Sequence, residues 1–303
     1  MTTVVHLKDA IMRQMQFNDN KNLFSTSPVP FHFTAEMQML LSQLRLHSKL
    51  SSAQQEELLT FLVTSCEQQF YRSNQYTHFQ CGDLFQMKNV YRELLQEVLS
   101  MKLSISELEQ HHYLRLRQFL QHTNPALVIL NTNASYYAQQ PVCSEYSAAF
   151  QIQLLQLDLV SLKEPILDVG CGEHGYLVQY LRSIGKEASG IDRMPASLPY
   201  ISKANWLEYS YQEQRWGTVL SNLAFSSHFI AHEQDDIAMM YAKTYKAILD
   251  SLQNGGSFLY APSLPMLEQY LPKDQYQVRY KAIQDKFYAS VITKKLHKGI
   301  PIS

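Results

Sequence analysis

Glycine is scarce in this chain: ten among 303 residues, and only Gly82 falls within the first 130. Glycines that cluster in so poor a background mark a backbone constraint. Cysteine is sparser still. The four, at positions 66, 81, 143 and 171, form no C-x-x-C and stand beside no ligand-spaced histidine pair. This argues against a zinc ribbon and a disulfide framework, and no metal site is expected. No window of about 18 consecutive apolar residues occurs, so no membrane span is expected. Lys8, Asp9 and Arg13 break up any signal-peptide core near the start. Charge of one sign is also missing. Lys plus Arg is 26 against 27 for Asp plus Glu, a formal charge of −1, which gives no general electrostatic footprint for nucleic acid or an anionic membrane. What is present is 46% hydrophobic and 17% charged, the balance of a globular protein with a sizeable core, in one large domain or two ordinary ones. A cytoplasmic, reducing-compartment protein is the expectation.

The two halves differ in texture. Residues 1–130 are rich in Leu, Gln, Met and Phe, and their apolar positions recur at helical spacing. One run, Met37 to Leu46, follows Thr34 as N-cap, with Glu36 in the first turn. A second follows Ser51, where Gln54 completes a capping box, and a third covers about Leu84 to Met101. A fourth follows Ser104, where Glu107 completes another box. This half is read as an all-helical domain, balanced at eleven basic and eleven acidic residues. His111 and His112 point about 100° apart on a helix, so they read as a partly exposed pair rather than as metal ligands; Arg115 and Arg117 beside them favour anions.

From 131 to 303 a second domain is expected. A helix over 144–160 is followed by alternating strands and helices: strands over 165–169, 188–191, 204–207, 217–220 and 257–260, with helices over 176–183 and 237–252 among them. Such alternation argues for an α/β, Rossmann-like, doubly wound and mostly parallel sheet. Residues 277–283 and 287–293 read as two strands joined by the Gln284-Asp285-Lys286 turn, an antiparallel C-terminal hairpin on the sheet edge.

The most informative stretch is EPILDVGCGEHGYLVQYLRSIGKEASGID, Glu164 to Asp192. A short strand runs into Asp168, then Gly170, Gly172 and Gly175 open a helix, and Asp192 ends the next strand. The glycines permit a tight turn and close approach of a ligand to the helix N-terminus. Asp192 is placed to accept hydrogen bonds from a ribose diol. Asp168 separates two ligand classes. At the mouth of the strand it would repel a pyrophosphate, whereas it would attract the ammonium group of an amino-acid-bearing ligand. The same argument counts against NAD.

LDVGCG followed by a strand-end acid resembles the class I (Rossmann-like) S-adenosylmethionine-dependent methyltransferases, over about Ser144 to Lys295, half of the chain. The resemblance implies S-adenosylmethionine as cofactor, contacted by Asp168, Gly170, Gly172, Gly175 and Asp192. It also implies Glu208 in NWLEYS near the end of the third strand, on the adenine amine, and Ser221-Asn222 in WGTVLSNLAFSSHF beside the methyl group. Gly255-Gly256 would lead into the fifth strand, and the final hairpin would supply the reversed seventh strand of the family. Two departures stand out: His174 occupies the usual place of the third glycine, one residue before Gly175, and the fourth motif lacks the Pro-Pro-aromatic of adenine and glutamine amino-methylases.

Methyl transfer needs mainly proximity and alignment, with a general base only where the acceptor must lose a proton. His228, just after the fourth strand, is the candidate base, and Tyr136 and Tyr137 are candidates to close over the site. Cys171 reads as a small packed residue. The expected reading is a methyltransferase acting on a small molecule or a protein side chain, with the helical domain covering the mouth of the sheet and shaping the acceptor pocket. One alternative is a ribosomal-RNA methyltransferase with a helical RNA-binding extension; the Lys-rich end (Lys273, Arg279, Lys281, Lys286, Lys294, Lys295, Lys298) is the feature it would use. Another is a non-catalytic S-adenosylmethionine-binding regulator or partner subunit, kept open by the displaced glycine and the lack of a motif-defined base.

Overall fold

The computed structural model of the chain describes residues 4–19, 21, 23–24, 31–47, 50–125, 146–284 and 287–296. Tyr136, Tyr137, Cys143, Asp285, Lys286 and Lys298 lie outside them. The chain divides into two compact units, Met1–Pro141 and Val142–Ser303.

In the first unit the described elements are the helices α1 (Val4–Phe17), α2 (Ala35–His47), α3 (Ser52–Ser73), α4 (Cys81–Ser100) and α5 (Ile105–Thr123). Their starts follow side-chain capping. Gln54 N–H donates to Ser51 Oγ (3.3 Å) and Ser51 N–H to Gln54 Oε1 (3.0 Å). Ser104 and Glu107 make the same reciprocal pair at 3.2 and 2.7 Å, and Met37 N–H reaches Thr34 Oγ1 at 3.2 Å. Each box satisfies two backbone donors that the helix itself leaves open. α1 buries Val4, Leu7, Ala10, Ile11 and Gln14, one face of the helix. α3, α4 and α5 pack in succession, α4 through Met87, Tyr91, Leu95 and Val98. His111 and His112 part company: His111 is exposed beside Glu97, whereas His112 falls in the apolar stripe Leu108–Leu116–Phe119 and is buried. Arg115 pairs with Glu93 and Glu97, so its charge is met within the unit, and Arg117 Nε donates to Leu23 O at 2.7 Å.

The second unit holds α6 (Ala148–Leu155), β1 (Ile166–Val169), α7 (Tyr176–Ser183), β2 (Ala188–Asp192), β3 (Ile201–Lys203), β4 (Trp216–Asn222), α8 (Phe225–Ala231), α9 (Ala238–Ser251), β5 (Leu252–Ala261), the short α10 (Pro265–Glu268), β6 (Tyr276–Gln284) and β7 (Phe287–Lys294). The seven strands form one sheet in the order β3-β2-β1-β4-β5-β7-β6. β3 through β5 run parallel, and β7 enters antiparallel to both β5 and β6. Both faces are covered, as a parallel sheet requires. Leu167, Val169, Val219, Phe258 and Tyr260 join a core with α8 and α9; Ile166, Leu220, Leu259 and Val291 join one with α6 and α7.

Pairing, not composition, moved several boundaries. The third strand is Ile201–Lys203 rather than 204–207, because Gly190 to Asp192 pair with Ile201 to Lys203. The first helix stops at Leu155, since Gln156 takes a left-handed φ of 47°. The fifth strand starts five residues early, where Leu252 pairs with Trp216.

Glycine is dispensable in one place and required in another. A Cβ at Gly82 meets nothing within 4 Å, while one at Gly217 would sit 2.5 Å from the backbone oxygens of Lys163 and Glu164. Gly82→Ala should therefore raise unfolding free energy by about 0.5–1 kcal/mol, and Gly217→Ala should lower it by about 1–3 kcal/mol, both measured by urea denaturation.

Candidate functional site

The site forms at the carboxyl ends of β1, β2 and β4. β1 ends on Asp168 and Val169, and the chain then turns through Gly170, Gly172 and Gly175 with φ of 77°, 75° and 54°. The turn is pinned to β2: the N–H groups of Gly170 and Cys171 both donate to Ile191 O (2.9 and 3.2 Å), and Gly172 N–H donates to Asp192 Oδ2 (2.9 Å). Space decides the residue type at the two ends of the loop. A Cβ at Gly170 would lie 2.4 Å from Ala224 Cβ, and one at Gly175 would lie 2.0 Å from Ile201 Cδ1. Gly175 is also the N-cap of α7, so the displaced third glycine supplies the left-handed residue at which the helix begins. His174, in the place usual for that glycine, is exposed and lies tilted against the Tyr176 ring at 5.2 Å. Cys171 is buried against Gly190, where even a methyl would come within 2.6 Å of its sulfur. Burial pushes its thiol up, which suits packing and not nucleophilic attack.

Register brings the polar residues to one face. Asp168 pairs with Gly190 in β2 and with Leu220 in β4. Side chains alternate along strands, so Asp192 and Asn222, each two residues further on, share the face of Asp168. Asp168 is 1% exposed, and neither carboxyl oxygen has a hydrogen-bond partner. Burial, reinforced by the charge of Asp192, pushes its carboxyl up to about 7. Asp192 is raised by burial too, but the N–H groups of Met194 (2.8 Å) and Gly172 (2.9 Å) and the nearby Arg193 favour its ionised form. Asn222 is buried with both its amide nitrogen and its amide oxygen unpartnered. Next along the chain, Ser226 Oγ is buried in the same condition.

The remaining expected residues fall out as follows. Glu208 is not at a strand end: it is exposed, in a turn five residues past Lys203. The polar residue immediately beyond β3 is Asn205, after Ala204 N–H closes the pairing on Asp192 O (2.7 Å). Asn205 Oδ1 accepts from Leu207 N–H (3.1 Å), and the turn so formed carries Trp206 inward against the Gly170 position. Ser221 is occupied: its hydroxyl donates to Val169 O (2.9 Å) and accepts from Phe225 N–H (3.0 Å), fastening β4 and α8 to the end of β1. His228 on α8 is buried, edge-on to Trp206 at 4.8 Å. It continues into a wall of His232, stacked on Tyr241 and bonded through Nδ1 to Asp235 (2.6 Å). Trp206, Asn205 and the His232–Tyr241 wall went unread in the sequence; a tryptophan just past a strand end, one of only two in the chain, was the available signal. Among the described residues no group of three or more His, Cys, Asp or Glu could hold a metal ion, and no helix is long and apolar enough to cross a membrane.

This strand order, with an antiparallel last strand inserted beside β5, is the class I (Rossmann-like) methyltransferase fold. No family model and no curated protein matches the sequence. Among solved structures the chain is similar to the N-methyltransferase NodS of Bradyrhizobium japonicum WM9, solved with S-adenosyl-L-homocysteine: 14% identity, 48% of this chain and 85% of that one, TM-score 0.36. It is also similar to the 1,6-didemethyltoxoflavin-N1-methyltransferase of Burkholderia thailandensis, solved with 1,6-didemethyltoxoflavin and S-adenosylhomocysteine: 15% identity, 49% and 76% covered, TM-score 0.34. An S-adenosylmethionine-dependent methyltransferase of Mesorhizobium loti matches at 17% identity, 44% and 60% covered, TM-score 0.30. The fold assignment stands on strand order and direction.

The free protein should register the strain at Asp168. Its carboxyl titrates near 7 when folded and near 3.9 when unfolded, so the folded state binds more protons between those values. Stability then falls as pH rises from about 4 to about 7, by a few kcal/mol at most. Asp168→Asn should flatten that slope and stabilise the ligand-free protein at pH 8, as read by urea unfolding across pH.

Proposed function

We propose that this chain is an S-adenosylmethionine-dependent methyltransferase acting on a small molecule or a protein side chain. The observation that carries the reading is Asp168, a buried carboxyl with two unpartnered oxygens beside a glycine turn. An ionised carboxylate buried without a partner is costly; a cation brought by a ligand removes that cost, and a pyrophosphate adds to it. The residues fit the cofactor. Asp168 would take the methionyl ammonium, and Asn222 offers a free donor and a free acceptor. The turn through Gly170, Gly172 and Gly175 leaves the backbone open to close approach. Asp192 would accept from the ribose hydroxyls, since each carboxylate oxygen keeps a lone pair after its backbone bond. At the adenine end Asn205, directly past β3, is better placed than the exposed Glu208. When bound, S-adenosylmethionine supplies an activated methyl group on a sulfonium sulfur.

The protein's own part is to hold and align, and to keep water out. Trp206, backed by His228, walls the glycine turn. His228 is the candidate base for a hydroxyl acceptor, as a buried imidazole next to that wall. The lysines of the C-terminal hairpin speak for a small acceptor over RNA. Lys281 Nζ donates to Leu155 O and Gln156 O (3.3 and 2.6 Å), and Lys294 Nζ to Asp250 O and Leu252 O (3.1 and 2.9 Å). Lys295 donates to Lys273 O. These three cations donate to backbone carbonyls, which reduces what they offer to phosphates.

Calorimetric titration tests the reading. S-adenosylmethionine and S-adenosylhomocysteine should bind, and NAD should not; binding of NAD alone, or of none of the three, would overturn it. Asp168 must ionise to hold an ammonium, so affinity should fall about tenfold per pH unit below pH 7 with uptake of the ligand releasing a proton. Asp168→Asn should remove this dependence and weaken binding by about 1–3 kcal/mol. His228→Gln should leave cofactor affinity near that of the parent while lowering transfer of labelled methyl to a hydroxyl acceptor in a metabolite extract by about 10²-fold or more.

A further inference from the structure

Among the described residues of the helical unit, a partly open pocket of about 220 Å³ lies between the helices, larger than the few water-sized voids of close-packed interiors. Its walls include Leu41, Leu58, Leu62, Leu95, Leu116 and Leu120. An apolar cavity of about 150 Å³ lined by such residues stays dry and takes up benzene; this one is larger and accommodates a longer apolar body.

Several polar side chains on the wall are held by hydrogen bonds. Gln14 bonds His32 O (2.8 Å) and Thr34 N–H (2.7 Å). Asn18 Nδ2 donates to the Tyr113 hydroxyl (3.1 Å). Asn124 brackets the backbone of His78 at 2.9 and 3.0 Å. Two further groups bear on the ligand. The Lys21 ammonium lies 3.5 Å from the centre of the Phe17 ring and 3.4 Å from Asn18 Oδ1, with no carboxylate paired to it among the described residues, and burial lowers its pKa. His112 lines the same cavity, 5% exposed, between Phe33, Tyr91 and Tyr113. Burial holds its ring neutral, with a pKa lowered to about 3, and its Nδ1 has no partner.

A largely apolar pocket with an ammonium that has no carboxylate paired to it among the described residues selects a ligand with a hydrocarbon or aromatic body and one anionic head. We infer that the unit Met1–Pro141 is a binding site for an apolar carboxylate of medium chain length. The site lies wholly within that unit and does not depend on the methyl-transfer reading.

Calorimetry on the full chain with decanoate, and with decanol as its neutral counterpart, tests this. Decanoate should bind with one site per chain, and decanol about tenfold more weakly, because it lacks the charge-assisted contact. Lys21→Gln should erase that difference without changing decanol binding. Leu62→Trp should fill the cavity and abolish binding of both, with helix content and thermal unfolding by circular dichroism confirming the fold; Leu116→Phe is the smaller filling should Leu62→Trp not fold. Absence of decanoate binding to the parent chain, equal binding of decanol, or parent-like binding by a folded cavity-filled variant would overturn the inference.

Discussion

The C-terminal unit is organised around a carboxyl group that its own chain leaves unsatisfied. Asp168 lies at the end of a fully buried strand, flanked on both sides by paired strands, with no donor for either oxygen. The two cores that sandwich the sheet hold it there and over-determine its position. On the proposed reading, the cation of a bound ligand would offset the cost of this acid. Strain of this kind is concentrated at sites that act on ligands.

Around that acid each neighbour takes its role from register. Because β1, β2 and β4 run parallel and in step, Asp168, Asp192 and Asn222 emerge on one face at one edge. Asp192 is stabilised by the backbone of the loop it helps to shape, and Asp168 is not. The two carboxylates therefore differ in kind: one is bonded by the loop's backbone, and the other is pushed toward neutrality by burial. Ser221 ties the loop after β4 to the end of β1 and so sets the distance across which Ala224 meets the Gly170 turn. The two units also solve different packing problems. The sheet is filled on both faces, whereas the helical bundle keeps a pocket whose wall includes an ammonium with no carboxylate paired to it among the described residues and a neutral imidazole.

Much of this was legible in the order of residues. The glycine spacing, Asp168 before it and Asp192 after it were readable because a tight turn, a strand end and a helix start each demand particular residue types within a few positions. The Ser51–Gln54 and Ser104–Glu107 boxes were readable for the same reason. Features set by long-range pairing were harder to see. The end of β3 follows from its partner β2, so Glu208 looked like a strand-end acid while Asn205 and Trp206 hold that place. His112 looked like half of an exposed pair, yet the helix stripe it belongs to turns it inward.

The sequence by itself determined the helical half, the alternating half and the chemistry of the glycine turn, because helical periodicity, capping and backbone-sterics rules act over a few residues. Only the tertiary structure decided that Asp168 has no partner and that the hairpin lysines close carbonyls. It alone also placed Trp206 against the turn and left a cavity in the bundle. Each of these depends on which distant atoms come within hydrogen-bonding or van der Waals distance, and that is fixed by packing.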